Sequence, residues 1–139
     1  MELKCASCRV QACREEPGAK PIPVFCPAAK ETETLAEVRQ IYAEAGTQHL
    51  ARKAAQVEAA GYCRWPRVQD VMEFARRIDA SHLGIAMCVG LLNEAHLLQE
   101  ILEANGFQVS SVCCKVDSIP KEEIGLRDDE KIHPGQFEA

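Results

Sequence analysis

The chain has 139 residues, a 47% hydrophobic composition and a formal net charge of -5, so it can bury one ordinary core and little more. No apolar run approaches the ~20 residues that a membrane span requires, and the negative charge disfavours nucleic acid and anionic membranes as main partners. The opening Met-Glu-Leu-Lys carries no apolar signal segment, so we expect a cytoplasmic protein in a reducing compartment.

Four of the eight cysteines fall near the amino terminus, in the order Cys5-x2-Cys8-x4-Cys13-x12-Cys26. The residues between them are charged or are turn formers, and they could not build a hydrophobic core without another source of order. Four thiols on short, turning backbone are typical ligands of a tetrahedral metal ion or a cubane cluster. Disulfides are the alternative, but a reducing cytosol disfavours them. The spacing therefore predicts a four-cysteine metal site.

The identity of the metal is left open between Zn²⁺ and a [4Fe-4S] cluster. Zinc needs only four thiolates. An iron-sulfur cluster is favoured by Pro27, which follows Cys26 directly, as a proline follows the last cysteine of bacterial ferredoxin motifs. The spacing itself is not that of a ferredoxin. The further cysteines along the chain give a slight preference for iron-sulfur.

Helix formers dominate after this segment. Thr34 and Glu37 resemble a capping box, and apolar residues recur at helical spacing from there to a predicted stop at Gly46. A second helix follows immediately, and Pro66 is well placed in the first turn of a third. We predict that residues 1–30 form the metal-binding module.

A strand, a helix and a second strand are predicted next, over residues 83–89, 91–105 and 107–116. This order is typical of a right-handed parallel crossover. The fold class is therefore α/β, with a small, Rossmann-like parallel sheet flanked by helices over residues 31–139. The residues after a short helix at 120–123 are predicted to be an exposed tail.

A second group of thiols lies in this part of the chain. Cys88, Cys113 and Cys114 stand at the carboxyl ends of the two strands, the edge where open α/β folds bind ligands. Adjacent Cys113 and Cys114 must point to opposite faces, so at most one of them can share a site with Cys88. Cys63 is isolated in a loop. We treat Cys63, Cys88 and Cys114 as a candidate second thiol site, the alternative being that they are small core residues.

Six strings in order carry a resemblance to a known family. They are Cys5-Ala-Ser-Cys8, Phe25-Cys26-Pro27, Tyr62-Cys63-Arg64-Trp65, Gly84-Ile85-Ala86-Met87-Cys88-Val89-Gly90, Val112-Cys113-Cys114-Lys115-Val116 and Pro134-Gly135-Gln136-Phe137-Glu138-Ala139. Together they resemble the family known as domain of unknown function eighteen-forty-seven, mostly from anaerobic bacteria and archaea and usually called only metal-binding proteins. The resemblance implies a metal at the four amino-terminal cysteines and supplies no reaction. Similar proteins usually continue into a further α/β segment with more cysteines, so we expect a truncated or naturally short member.

The leading functional hypothesis is an iron-sulfur protein in redox or sulfur-related chemistry, served by a redox partner protein. One alternative is a zinc-stapled binding module without catalysis, in which the metal replaces a missing core. Another is a metal sensor or chaperone. Whether the chain is an enzyme is left open, because ligand type constrains the metal and not its purpose.

Overall fold

The computed structural model describes residues 3–139, which contain five α-helices and two β-strands. In chain order these are α1 (Pro27–Lys30), α2 (Thr32–Ala43), α3 (Ala45–Gly61), α4 (Arg67–Arg77), β1 (His82–Met87), α5 (Leu92–Ala104) and β2 (Gln108–Cys113). Short 3-10 turns lie at Cys5–Ser7, Ala12–Arg14, Val89–Leu91, Val116–Ser118, Lys121–Ile124 and Asp128–Glu130. No helix in this part of the chain is both long and apolar enough to cross a lipid bilayer.

The chain divides into two units, Met1–Ala55 and Gln56–Ala139. The predicted division between residues 1–30 and 31–139 stays a prediction, and its first two residues lie outside the described part of the chain.

The helices of the first unit differ in detail from their predicted boundaries. The predicted capping box is absent: α2 begins at Thr32, and the preceding Glu31 makes no side-chain cap hydrogen bond. The predicted stop at Gly46 is also wrong, because Gly46 lies inside α3. The break falls instead at Glu44, whose extended backbone (φ -61°, ψ 133°) interrupts the helical path.

The second unit contains the predicted strand-helix-strand arrangement. Strands β1 and β2 pair in parallel, from His82 opposite Gln108 to Met87 opposite Cys113. Helix α5 connects them and packs on both strands. The structure thus confirms a mixed helix and strand fold built around a small two-stranded parallel sheet.

The core of the second unit lies on the side of the sheet that α5 covers. Its buried members are Met72 and Ala75 of α4, Leu102 of α5 and Phe107, which directly precedes β2. Partly buried apolar residues surround them: Val68, Ala80, Leu83, Ile85, Leu98 and Val109. Because the core holds few buried side chains, each of them contributes a large share of the unit's hydrophobic stabilisation.

The carboxyl-terminal residues are more ordered than a simple exposed tail. The backbone N–H of Lys121 donates to the carbonyl of Glu138 at 2.9 Å, which folds the end of the chain back on the turn at Lys121–Ile124. Many side chains here are exposed, as predicted, including Ile132 and Phe137. Lys131, in contrast, is buried.

Candidate functional site

The four amino-terminal cysteines lie on turns rather than on regular structure. Cys5 and Cys8 are the ends of one 3-10 turn, in which the N–H of Cys8 donates to the carbonyl of Cys5 at 3.0 Å. Cys13 lies in the next turn, Ala12–Arg14. Cys26 immediately precedes α1, and its carbonyl accepts a hydrogen bond from Ala29 at 3.0 Å. Each predicted ligand therefore stands where the backbone changes direction, as metal-ligating cysteines usually do.

These four thiols are free and accessible. Cys5 and Cys13 are exposed, and Cys8 and Cys26 are partly buried. No residue from 3 to 56 is buried, so this part of the chain has no hydrophobic core of its own. Throughout residues 3–139, no three Cys, His, Asp or Glu side chains are gathered closely enough to hold a metal ion. The donor set therefore suits a soft metal, but the described geometry does not preform the site, and the ligand set stays a prediction.

Cys63 lies in the loop between α3 and α4. Its backbone φ of 55° is in the left-handed region, which costs a non-glycine residue about 1–3 kcal/mol. The N–H groups of Arg64 and Trp65 both donate to the carbonyl of Gly61, at 2.8 and 3.0 Å, and hold the loop in this shape. The thiol is exposed. Cys63 is thus a surface residue of a tight turn and not the small core residue of the alternative interpretation.

The strand-end cysteines occupy the positions that the sequence predicted. Cys88 directly follows β1 and begins the turn Val89–Leu91 that leads into α5. Cys113 is the last residue of β2, and Cys114 follows it. Cys88 and Cys114 are exposed, whereas Cys113 is partly buried. Cys88 and Cys114 thus lie at the same edge of the sheet. That Cys63 belongs to the same thiol site stays a prediction.

A group of charged residues near the carboxyl end was not anticipated from the sequence. The ammonium group of Lys131 contacts carboxylates of Glu122 and Asp128 and donates to the carbonyl of Gln136 at 3.0 Å. The pKa of Lys131 is raised, mainly by its hydrogen bond to Glu122 and next by its hydrogen bond to Asp128. The pKa of Asp128 is lowered, mainly by the hydrogen bond from the backbone N–H of Gly135 and next by the hydrogen bond from Lys131. A buried lysine is stable here because both carboxylates remain ionised beside it.

A second ion pair closes the same region. The Lys121 ammonium lies 2.6 Å from a carboxylate oxygen of Glu138, and the N–H of His133 donates to the other oxygen at 2.6 Å. Together these lower the pKa of Glu138 to about 2. The pair forms one wall of an open cavity of about 350 Å³. Its other lining residues are Lys115, Ser118, Ile132, His133, Phe137 and Ala139.

The sequence of the chain is similar to a family model and to a curated protein. A family model described as "Protein of unknown function (DUF1847)" matches residues 26–139 and therefore starts at the last of the four amino-terminal cysteines. An uncharacterized protein of Methanocaldococcus jannaschii is 30% identical over 137 residues, which are 99% of this chain and 63% of that protein. The chain thus spans less than two thirds of the length of this curated relative. No solved structure matches the chain.

Proposed function

The chain belongs to the family of unknown function DUF1847, and from its own residues we propose that it is a metal-binding protein with Cys5, Cys8, Cys13 and Cys26 as ligands. The family's description names no reaction, so the proposal depends on the chemistry of these donors.

The observation that carries the proposal is the missing core of the amino-terminal segment. Residues 3–56 include no buried side chain, yet they contain four free thiols within a span of tight turns. A segment that buries so little apolar surface cannot offset the entropy lost on ordering its backbone. Metal binding supplies that free energy in small cysteine-rich modules. The ion would draw together turns that the described hydrogen bonds have already formed.

Between the two candidate groups we favour a [4Fe-4S] cluster over Zn²⁺. Both are bound by four thiolates, and a bound cluster would supply one-electron chemistry. Two features support the cluster: Pro27 after the last ligand, and a separate group of thiols at the strand ends of the second unit. We therefore propose redox or sulfur-related chemistry with a redox partner protein. Zinc would instead leave a structural staple of a binding module, or a metal sensor or chaperone.

The protein residues contribute positioning and charge to this site. Arg9 and Arg14 lie between the cysteines in sequence, and their positive charges would offset part of the negative charge of four thiolates around a metal. Lys20 pairs with Glu15 at 2.8 Å, and this exposed ion pair lies between the third and fourth ligands in sequence. We also propose that the two strands belong to a Rossmann-like sheet and that the protein works in the cytoplasm of an anaerobe.

The test is metal and acid-labile sulfide analysis, with a visible spectrum, on protein purified without oxygen. We expect about four iron and four sulfide per chain, with broad brown absorption. Cys5→Ser and Cys8→Ser should remove most of the iron. Cys63→Ser, an exposed cysteine of the second unit, is the matched control and should retain it.

Two results would change the conclusion. One zinc per chain without sulfide would select the zinc staple. A chain that retains neither metal, before and after reconstitution with iron and sulfide, would refute the metal site altogether.

A further inference from the structure

The two strand-end thiols of the second unit are neighbours across the sheet. Met87, the last residue of β1, is in register with Cys113. The N–H of Cys114 donates to the carbonyl of Met87 at 2.8 Å, and this bond is part of the hydrogen bonding of that last pair. The residues that directly follow this pair are Cys88, after β1, and Cys114, after β2. Adjacent strands are about 4.8 Å apart, which lies inside the range of about 4.4–6.8 Å between the Cα atoms of disulfide-bonded cysteines.

Side-chain contacts show which face of the sheet each position occupies. On the face away from α5, a ring nitrogen of His82 lies 2.8 Å from the hydroxyl of Ser110. On the other face, the hydroxyl of Ser111 donates to Gln99 of α5 at 3.1 Å. Even-numbered residues of both strands thus point away from α5, and odd-numbered residues of both strands point toward it.

By this alternation Cys88 and Cys114 share the outer face, and Cys113 belongs to the face covered by α5. Exposure agrees with the assignment, since Cys88 and Cys114 are exposed and Cys113 is partly buried. The position of Cys88 is also fixed at its carbonyl, which accepts a hydrogen bond from Leu91 at 2.9 Å. Gly90 leaves room beside its sulfur, as a Cβ at that position would stand 3.9 Å from Sγ.

From this register, this shared face and the exposure of both thiols, we propose that Cys88 and Cys114 are a thiol-disulfide exchange site for disulfides of small molecules, which can reach both sulfurs at the open edge of the sheet. The thiolate of one cysteine attacks a sulfur of the substrate R–S–S–R, forms a mixed disulfide and releases R–S⁻. The thiolate of the second cysteine attacks the protein sulfur of the mixed disulfide and releases the second R–S⁻. The two protons lost by the cysteines end on two R–SH molecules. The protein is oxidised by two electrons and the substrate is reduced by two.

The proposal goes beyond the metal site and does not depend on it. Both cysteines lie in the second unit, and neither belongs to the four amino-terminal ligands. Cys113 is the natural control, because it neighbours Cys114 in sequence but faces α5. Cys113 thus differs from Cys114 by one position in the chain and lies on the opposite face of the sheet.

The experiment equilibrates the full chain with mixtures of reduced and oxidised glutathione, traps free thiols by alkylation and digests the monomeric protein with trypsin and a glutamate-specific protease. Cleavage yields residues 78–94, which contain Cys88, and residues 104–115, which contain Cys113 and Cys114. We expect these two peptides to be joined by a disulfide in oxidised protein and separated again by dithiothreitol. Fragmentation of the joined peptide should locate the bond at Cys114.

Variants provide the second readout. Cys88→Ser and Cys114→Ser should each reduce the amount of joined peptide at least tenfold, whereas Cys113→Ser should leave it unchanged. The proposal is overturned if the bond maps to Cys113, if Cys113→Ser removes it, or if both outer thiols end as mixed disulfides with glutathione. Mapping the bond in the wild-type protein tests the pairing even if a variant does not fold. Metal content is measured on separate samples, so failure of one proposal is distinguishable from failure of the other.

Discussion

Replacing Leu102 by alanine tests how much of the second unit depends on its small core. Leu102 is 3% exposed and packs with Met72, Ala75 and Phe107. The substitution removes three carbon atoms, and at about 0.8 kcal/mol for each buried CH₂ the transfer cost is about 2.4 kcal/mol. The cavity left behind raises the expected loss to about 3 kcal/mol. That is a large share of the roughly 5–15 kcal/mol that typically stabilises a domain.

The matched control is Leu97→Ala in the same helix. Leu97 is 58% exposed, so the same truncation should cost roughly 1 kcal/mol or less. Equilibrium unfolding in urea measures both, with fluorescence of Trp65, the single tryptophan, as the signal. Equal losses for the two variants would refute the assignment of Leu102 to the core. A loss of stability in Leu97→Ala alone would mean that the Leu97 face of α5, and not the Leu102 face, packs against the sheet.

Two further predictions concern other parts of the second unit. Gly61→Ala should lower the free energy of unfolding by about 1–3 kcal/mol, because the added Cβ would clash with the indole of Trp65. Gly84→Ala, whose added Cβ would meet nothing within 4 Å, should leave stability unchanged or raise it by up to about 1 kcal/mol in the same urea assay. A Gly61→Ala protein as stable as Gly84→Ala would contradict the packing at Trp65. A second prediction concerns Glu138, whose pKa is lowered from 4.5 to about 2. The ionised Glu138 carboxylate therefore contributes fully to stability above pH 4.5, and this contribution is lost as the pH falls through 2. Carboxyl NMR titration should show this low pKa, and Lys121→Met should move it back toward 4.5; an unchanged value in that variant would mean that the Lys121 ion pair is not its main cause.

The strand-helix-strand unit could be predicted because its signals are local. An apolar run of strand length, a helical repeat and an Asn-Gly ending all lie within about 30 residues, and the observed elements fall within a few residues of the predicted ones. The strand-end positions of Cys88 and Cys114 follow from the same signals. Alternation along a strand also predicted that Cys113 and Cys114 would be on opposite faces.

Other features depend on contacts that local patterns do not contain. The helix break occurs at Glu44, which has no turn-forming chemistry, while the stronger signal two residues later at Gly46 is absorbed into α3. The burial of Lys131 requires Glu122 and Asp128 to meet it from separate turns, and a linear charge count shows only an acidic tail. The spacing of the amino-terminal cysteines predicts a soft metal or cluster, and in the proposed site the metal itself would draw the four cysteines together.

The crossover through α5 also determines how much chain a bond at the sheet edge would enclose. A link from Cys88 to Cys114 would close a loop of about 27 residues that contains the whole helix. In the chain-entropy description, closing a loop of that length restricts the unfolded chain by about 3.5 kcal/mol at 25 °C. This is as large as the expected contribution of Leu102. Oxidation at an exposed edge would thus stabilise the unit as much as the buried Leu102 does, by acting on the unfolded state and adding nothing to the core.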